Sequence, residues 1–273
     1  MVTTRDLREA AGSEPITMLT AYDAQTAAVI DDVGVDVILV GDSMGNTVLG
    51  YDSTLPVTLD EVKSRTAAVA RATDDALIVA DMPFLSFGVE EAETIHNAGA
   101  MIKDAGADAV KLESGRHTVE ITDRLTDLGI PVMAHLGLTP QQVNQLGGYS
   151  RQGTTKAAGR EILTLAREHE DAGAFSLVLE HVPANLATQV TAAIDIPTIG
   201  IGAGPDCDGQ VLVITDVLGL DEWSPSFSKQ FGDVRSVMQE AIAEYRTAVE
   251  EGTFPTKEHS TRVAELDDLD PDR

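Results

Sequence analysis

The chain has 273 residues, a formal net charge of −26 and one cysteine, Cys207. The lone cysteine excludes a disulfide framework and a Cys-based zinc cluster. The charge argues against nucleic acid and anionic membrane surfaces as partners.

No apolar run reaches the ~18 residues of a membrane span. The N-terminal MVTTRDLREA has no apolar signal core. A cytoplasmic, reducing location is therefore expected. Only 6 of the 19 basic residues are lysines. That balance fits a salt-adapted cytosol better than an ordinary acidic enzyme. At ~1 M salt the Debye length falls to ~3 Å, which removes most surface self-repulsion.

Eight short apolar runs alternate with helical stretches. ITMLT (16–20) precedes a predicted helix over 24–33, and VILVG (37–41) precedes one over 59–73. LIVAD (77–81) leads to 89–105, AVKLE (109–113) to 117–127, PVMAH (131–135) to 155–172, and FSLVLE (175–180) to 184–193. PTIGIG (197–202) and VLVIT (211–215) are separated by little more than GAGPDCDGQ, so the seventh helix is short or missing. A long C-terminal helix is predicted over about 227–250, packed on the barrel or reaching a neighbouring subunit. Eight such units predict an α/β fold, a closed (β/α)8 TIM barrel of parallel strands. Residues 1–260 read as a single catalytic domain. Residues 261–273 read as an acidic, disordered tail.

Two strand-to-helix connections, 42–58 and 136–155, exceed the usual loop length and are candidate lids. Both leave the C-terminal face, where barrel active sites sit. The same face collects Asp42 and Ser43, Asp81, Lys111 and Glu113, His135, and Glu180 from five successive strands. Lys111 and Glu113 are two apart and share the inward side of their strand. Taken alone, each has a structural reading: a helix cap for an Asp, an ion pair for Lys111 with Glu113, a satisfied core histidine for His135. Their gathering at one end favours chemistry, because uncompensated buried charges are costly. Asp42, Asp81 and Glu113 form a hard-oxygen set suited to Mg²⁺.

LTAYDAQTA, VGDSMGNTVLGYDSTLPVTLDE, VADMPFLSFG, AVKLESG, HLGLTPQQVNQLGGYSRQG and IGIGAGPDCDGQVLV resemble the ketopantoate hydroxymethyltransferase family. The resemblance covers about residues 3–259. It implies a barrel of the phosphoenolpyruvate/pyruvate superfamily. The implied reaction moves a one-carbon unit from 5,10-methylenetetrahydrofolate, or a related pterin, to 3-methyl-2-oxobutanoate. The product is 2-dehydropantoate, for pantothenate and coenzyme A biosynthesis.

By the same resemblance, Asp42 and Asp81 bind a single Mg²⁺ per subunit, and Glu113 joins the metal site directly or through water. Asp42, Ser43, Asp81 and Lys111 hold the oxoacid, with His135 in the pocket. Glu180 is the general base. A homo-oligomer, typically a decamer, is implied. The sequence departs from the family pattern at Ala134, His181, Lys229-Gln230-Phe231 and Thr261, none of them a site residue. A carbon–carbon lyase of the isocitrate lyase type is the nearest alternative, but its Cys-containing acid loop is missing. A non-catalytic oxoacid-binding barrel would not need Glu180.

Overall fold

The computed structural model describes residues 1–221 and 223–267. Eight parallel strands close into a barrel in sequence order. They are β1 (Ile16–Thr20), β2 (Val37–Val40), β3 (Leu77–Asp81), β4 (Ala109–Glu113), β5 (Val132–Gly137), β6 (Ser176–Glu180), β7 (Thr198–Ile201) and β8 (Gly209–Leu212). In chain order the helices begin with α1 (Thr4–Ala10), α2 (Ala24–Val33), α3 (Met44–Thr47) and α4 (Leu59–Ala70). They continue with α5 (Glu91–Lys103), α6 (Val119–Asp127), α7 (Val143–Leu146) and α8 (Lys156–Asp171). The last three are α9 (Ala184–Thr191), α10 (Ile214–Leu218) and α11 (Val234–Glu250).

Strand parity divides the core. Ile38, Val40, Ile78, Ala80, Val110 and Leu112 pack outward against helices. Ala134, Leu136, Leu177 and Leu179 do the same around the other half. The alternate residues Met18, Val37, Leu39, Leu77, Val79, Ala109, Met133, Val178, Ile199 and Val211 fill the barrel interior. Leu7 of α1 joins that interior cluster, so α1 plugs the N-terminal end. The two-residue period of a strand carries the same parity to the other end of the barrel. Lys111, Glu113, His135 and Glu180 continue the inward series one step toward the C-terminal end.

The Gly-x-Asp segments between helices and strands have two jobs. Gly34 adopts φ 84° and ends α2, as a left-handed C-terminal glycine does. Asp36, two residues on, accepts the Thr17 N–H at 2.8 Å and the Thr17 hydroxyl at 2.6 Å. Asp108 likewise accepts the Ile78 N–H at 2.9 Å. These carboxylates satisfy backbone donors where the barrel begins.

Three sequence expectations are corrected. The eighth strand is Gly209–Leu212 rather than 211–215, because the run VLVIT is split between β8 and α10. The break falls where the Ile214 N–H donates to Thr20 Oγ1 at 3.0 Å instead of extending the ladder. The last helix starts at Val234 rather than near 227, with Asp233 as its cap accepting the Ser236 N–H at 3.2 Å. Helix α1 has no counterpart among the elements expected from the sequence. No helix lies between β7 and β8, as the short connection implies. Ala264–Leu266 form a 3₁₀ turn, and residues 268–273 of the expected disordered tail lie outside the described residues. Among the described residues, no helix is long and apolar enough to cross a membrane.

Helix α8 is tied to the turn after β4 by a fully buried histidine. His169 Nδ1 lies 3.0 Å from Thr122 Oγ1, and Nε2 lies 3.3 Å from the Gly115 carbonyl oxygen. Burial pushes its pKa down from 6.5 to about 4. A depressed folded pKa contributes stability that is present above 6.5 and lost as pH falls toward 4. The full loss is on the order of 3 kcal/mol. Chemical denaturation at pH 7 and pH 4.5 should therefore show a pH-dependent loss that His169→Gln flattens; equal slopes in both proteins would contradict this role.

Candidate active site

The ends of β2 to β6 surround one cavity of about 100 Å³. Its lining includes Asp42, Ser43, Asp81, Lys111, Glu113, His135 and Glu180. Every site residue expected from the sequence is therefore brought together. Asp42, Asp81, Lys111, Glu113 and His135 are each at most 4% exposed, and Glu180 stands half-buried at the rim. Strand order puts β6 directly across the barrel from β2, so Glu180 faces Asp42 across the cavity.

Lys111 is the cation at the centre. Its Nζ lies 2.7 Å from Asp81 Oδ1, an ion pair whose angle falls short of an aligned hydrogen bond. Burial would lower the lysine pKa, but Asp81, Asp42 and Glu113 together outweigh it and hold it up at about 12. Lys111 Nζ also lies 3.4 Å from His135 Nδ1. An ammonium only donates, which assigns Nδ1 as acceptor and puts the ring proton on Nε2. That nitrogen lies 3.2 Å from Glu180 Oε2, close but not aligned as a hydrogen bond.

Negative charge is in surplus. The Asp42 N–H donates to Asp81 Oδ2 at 3.2 Å, holding the two carboxylates side by side. Burial, then repulsion from Asp81, raises Asp42 to about 7. Burial and Asp42 push Glu113 well above the ordinary carboxylate range. One lysine does not balance this set, and a divalent cation would. Among the described residues, no three His, Cys, Asp or Glu side chains converge as a ready cage. Mg²⁺ takes one or two carboxylates and completes its shell with water and substrate oxygens, so an adjacent carboxylate pair would be enough to hold it. Asp42 and Asp81 are the adjacent pair that would hold it, with Glu113 behind.

Sequence reasoning missed the role of Gln141, which is 5% exposed. Its Nε2 donates to Asp42 Oδ2 and to the Met82 carbonyl oxygen, both at 2.9 Å. Its backbone N–H donates to Glu113 Oε2 at 3.0 Å. Tyr22 was also missed; its hydroxyl shares a 2.9 Å hydrogen bond with Ser43 Oγ. Both residues lie in the motifs that carry the family resemblance, but neither bears a charge to mark it. The loop from β5 to α8 continues from Gln141 to Tyr149. Pro140 of this loop lines the cavity, while Tyr149 further along is 49% exposed, its phenol raised by burial and then by the fields of Asp42, Glu113 and Glu180. Gly137, where this loop leaves β5, has φ 103°, and a Cβ there would collide with the Glu180 carbonyl oxygen.

Barrel closure with an ionisable pocket at the C-terminal face defines a protein of the TIM-barrel class. The chain belongs to the ketopantoate hydroxymethyltransferase family, whose profile matches residues 1–257. It is 69% identical over 269 residues to the 3-methyl-2-oxobutanoate hydroxymethyltransferase of Haloarcula marismortui, covering 98% of this chain and all of that one. It is 51% identical to the protein of that name from Pyrobaculum calidifontis, covering 94% and 97%. Its fold is similar to that of a phosphoenolpyruvate phosphomutase from Streptomyces platensis, with TM-score 0.61, 14% identity and coverage of 97% and 93%.

A raised carboxyl pKa favours the folded state while the group stays protonated. For Asp42 that contribution is complete below 3.8 and gone above about 7. Without divalent cations, Tm should fall as pH rises through this window. Asp42→Asn should raise Tm at pH 8 by roughly 2–4 °C, and added Mg²⁺ should raise Tm more in the wild type than in the variant. A lower Tm in the cation-free variant would contradict the charge surplus.

Proposed function

We propose that the chain transfers a one-carbon unit from 5,10-methylenetetrahydrofolate, or a related pterin, to 3-methyl-2-oxobutanoate, giving 2-dehydropantoate for pantothenate and coenzyme A biosynthesis. The observation that carries this reading is Glu180, a rim carboxylate facing the Asp42–Asp81 pair across a cavity that also holds Lys111. A cavity of about 100 Å³ suits one short oxoacid and leaves the bulky carrier outside, over the mouth. The names of the relatives support the same substrate.

A Mg²⁺ held by Asp42 and Asp81, with Glu113 in support, would supply Lewis acidity to the carboxylate and ketone oxygens of the oxoacid. Ser43, on the turn after β2, lies where it can donate to the substrate carboxylate. Glu180 takes the C3 proton, and the C–H electron pair becomes the enolate π bond. Lys111 stabilises the enolate oxygen with a preorganised positive charge, an effect worth about 3–4 kcal/mol for a single such donor. His135 Nε2 lies 3.2 Å from Glu180 Oε2, beside the base at the cavity rim. The enolate carbon then bonds to the carrier's methylene group. Both methylene–nitrogen bonds of the carrier break, one as the carbon–carbon bond forms and one as water supplies the hydroxyl, and the two nitrogens take up the C3 proton from Glu180 and the remaining proton of that water.

The lyase alternative is less favoured, because it would need an acid at the mouth. The single cysteine, Cys207, instead lies beside the Thr191 and Thr198 hydroxyls, near the N-terminal end of β7.

A homo-oligomer is part of the proposal. Met238, Ile242, Tyr245 and Val249 form one stripe of α11, spaced 4, 3 and 4 residues apart, and all are exposed. A groove of about 810 Å³ outside β1 and β8, lined by Leu19, Val35, Leu212, Val217 and Phe231, occupies the place of the usual eighth helix. An α11 from another copy would fill it. The acidic surface and the haloarchaeal relative support a cytoplasm rich in salt.

In high salt with Mg²⁺ and methylenetetrahydrofolate, the protein should form 2-dehydropantoate from 3-methyl-2-oxobutanoate. Glu180→Gln should bind the oxoacid yet lose C3 deuterium exchange by at least 100-fold. No product together with no exchange in the wild type would overturn the proposal. Light scattering of Ile242→Glu should show a smaller assembly than the wild type, and identical masses would remove α11 from the interface.

A further inference from the structure

We infer that Gln141 is a positioning residue: it sets the orientation of the cation-binding carboxylates and latches the loop after β5 over the pocket. This inference rests on the reading that Asp42 and Glu113 serve a cation. Its ground is the wiring of one neutral, buried side chain. The amide of Gln141 has two N–H donors, and both are used, one on Asp42 Oδ2 and one on the Met82 carbonyl oxygen. Its backbone N–H is spent on Glu113. A single residue on the loop after β5 therefore grips the ends of β2, β3 and β4.

Donor chemistry sets the consequences. With Oδ2 occupied by an amide, Asp42 cannot rotate freely, and Oδ1 is the oxygen left to face a cation. Glu113 is drawn toward the loop backbone, which suits a supporting place better than a direct one. An amide is the fitting group here. It gives two donors on a short stem and adds no charge, so it leaves the negative field of the pocket intact for the cation. Lysine or arginine would neutralise that field, and methionine would leave the Asp42 oxygen without its partner. Partners one step removed from a metal commonly shift its affinity 10–100-fold when deleted.

The same bonds tie the loop to the site. Pro140, next to Gln141 on the same loop, lines the cavity. When Gln141 holds the carboxylates, this part of the loop is held against the pocket. Lid position and carboxylate orientation then become one property rather than two.

The test uses Gln141→Met, close in size but without donors, with Gln145→Met on the exposed part of the same loop as control. Calorimetry of Mg²⁺ binding to the full-length protein should show about a tenfold or greater loss of affinity in Q141M and none in Q145M. The Mg²⁺ concentration for half-maximal C3 exchange should rise in parallel, while the rate at saturating Mg²⁺ falls less. Amide exchange across 138–152 should quicken in Q141M alone. Should Q141M fold poorly, Gln141→Asn, one methylene short, should shift the Mg²⁺ affinity in the same direction. Wild-type affinity in Q141M and Q141N, or an equal shift in Q145M, would overturn the inference while leaving the proposed reaction standing. A wild type that binds no divalent cation would overturn both.

Discussion

One lysine ammonium buried among four carboxylates is the constraint on which the rest of this structure depends. Lys111 touches Asp81 at 2.7 Å, and Asp42, Glu113 and Glu180 crowd the same small cavity. A buried ion pair by itself contributes little net stability, because both partners lose their water. A buried excess of one sign is worse, and it persists only where function requires it. Burial and mutual repulsion raise both Asp42 and Glu113. The site is thus short of positive charge by about what a divalent cation brings. In a chain of net charge −26, a small anion would need such a cation beside Lys111 to dwell in this cavity.

The barrel makes this arrangement possible by simple repetition. Each strand alternates, so the inward series that begins with Val79, Ala109, Met133 and Val178 ends with Asp81, Lys111 with Glu113, His135 and Glu180. The apolar layers below provide the low dielectric that sharpens every charge above them. Leu7 of α1 closes the far end, so water reaches the charges from the C-terminal face. Stability and electrostatics are separated along one axis, with strand ends at the N-terminal side stitched by Asp36, Asp108 and Asp208.

Much of this was legible in the sequence because charge inside a barrel is rare. A two-residue period and an ionisable residue at the end of five runs point to the face and to the residues on it. Gln141 was not legible for a physical reason. Its partners Asp42 and Met82 lie 99 and 59 residues away, and a neutral amide among other polar loop residues carries no periodic or electrostatic mark. Helix α1 has one buried residue, Leu7, too few to make a pattern. The end of β8 was misplaced because Val213 and Ile214 suit a strand by composition, while the Thr20 hydroxyl captures the Ile214 N–H and turns the chain into α10. The exposed stripe on α11 was readable as an amphipathic helix, but what it packs against is a property of other surfaces.

The charge surplus makes a thermodynamic demand that can be measured without substrate. Asp42, raised to about 7, must give up the proton it holds when a cation arrives. Titrating Mg²⁺ into the protein at pH 7 and pH 9, in buffers of different ionisation enthalpy, separates proton release from binding. One cation should bind per chain, with more protons released at pH 7 than at pH 9, where Asp42 is already ionised. No binding, or a binding enthalpy at pH 7 that is independent of buffer, would contradict it.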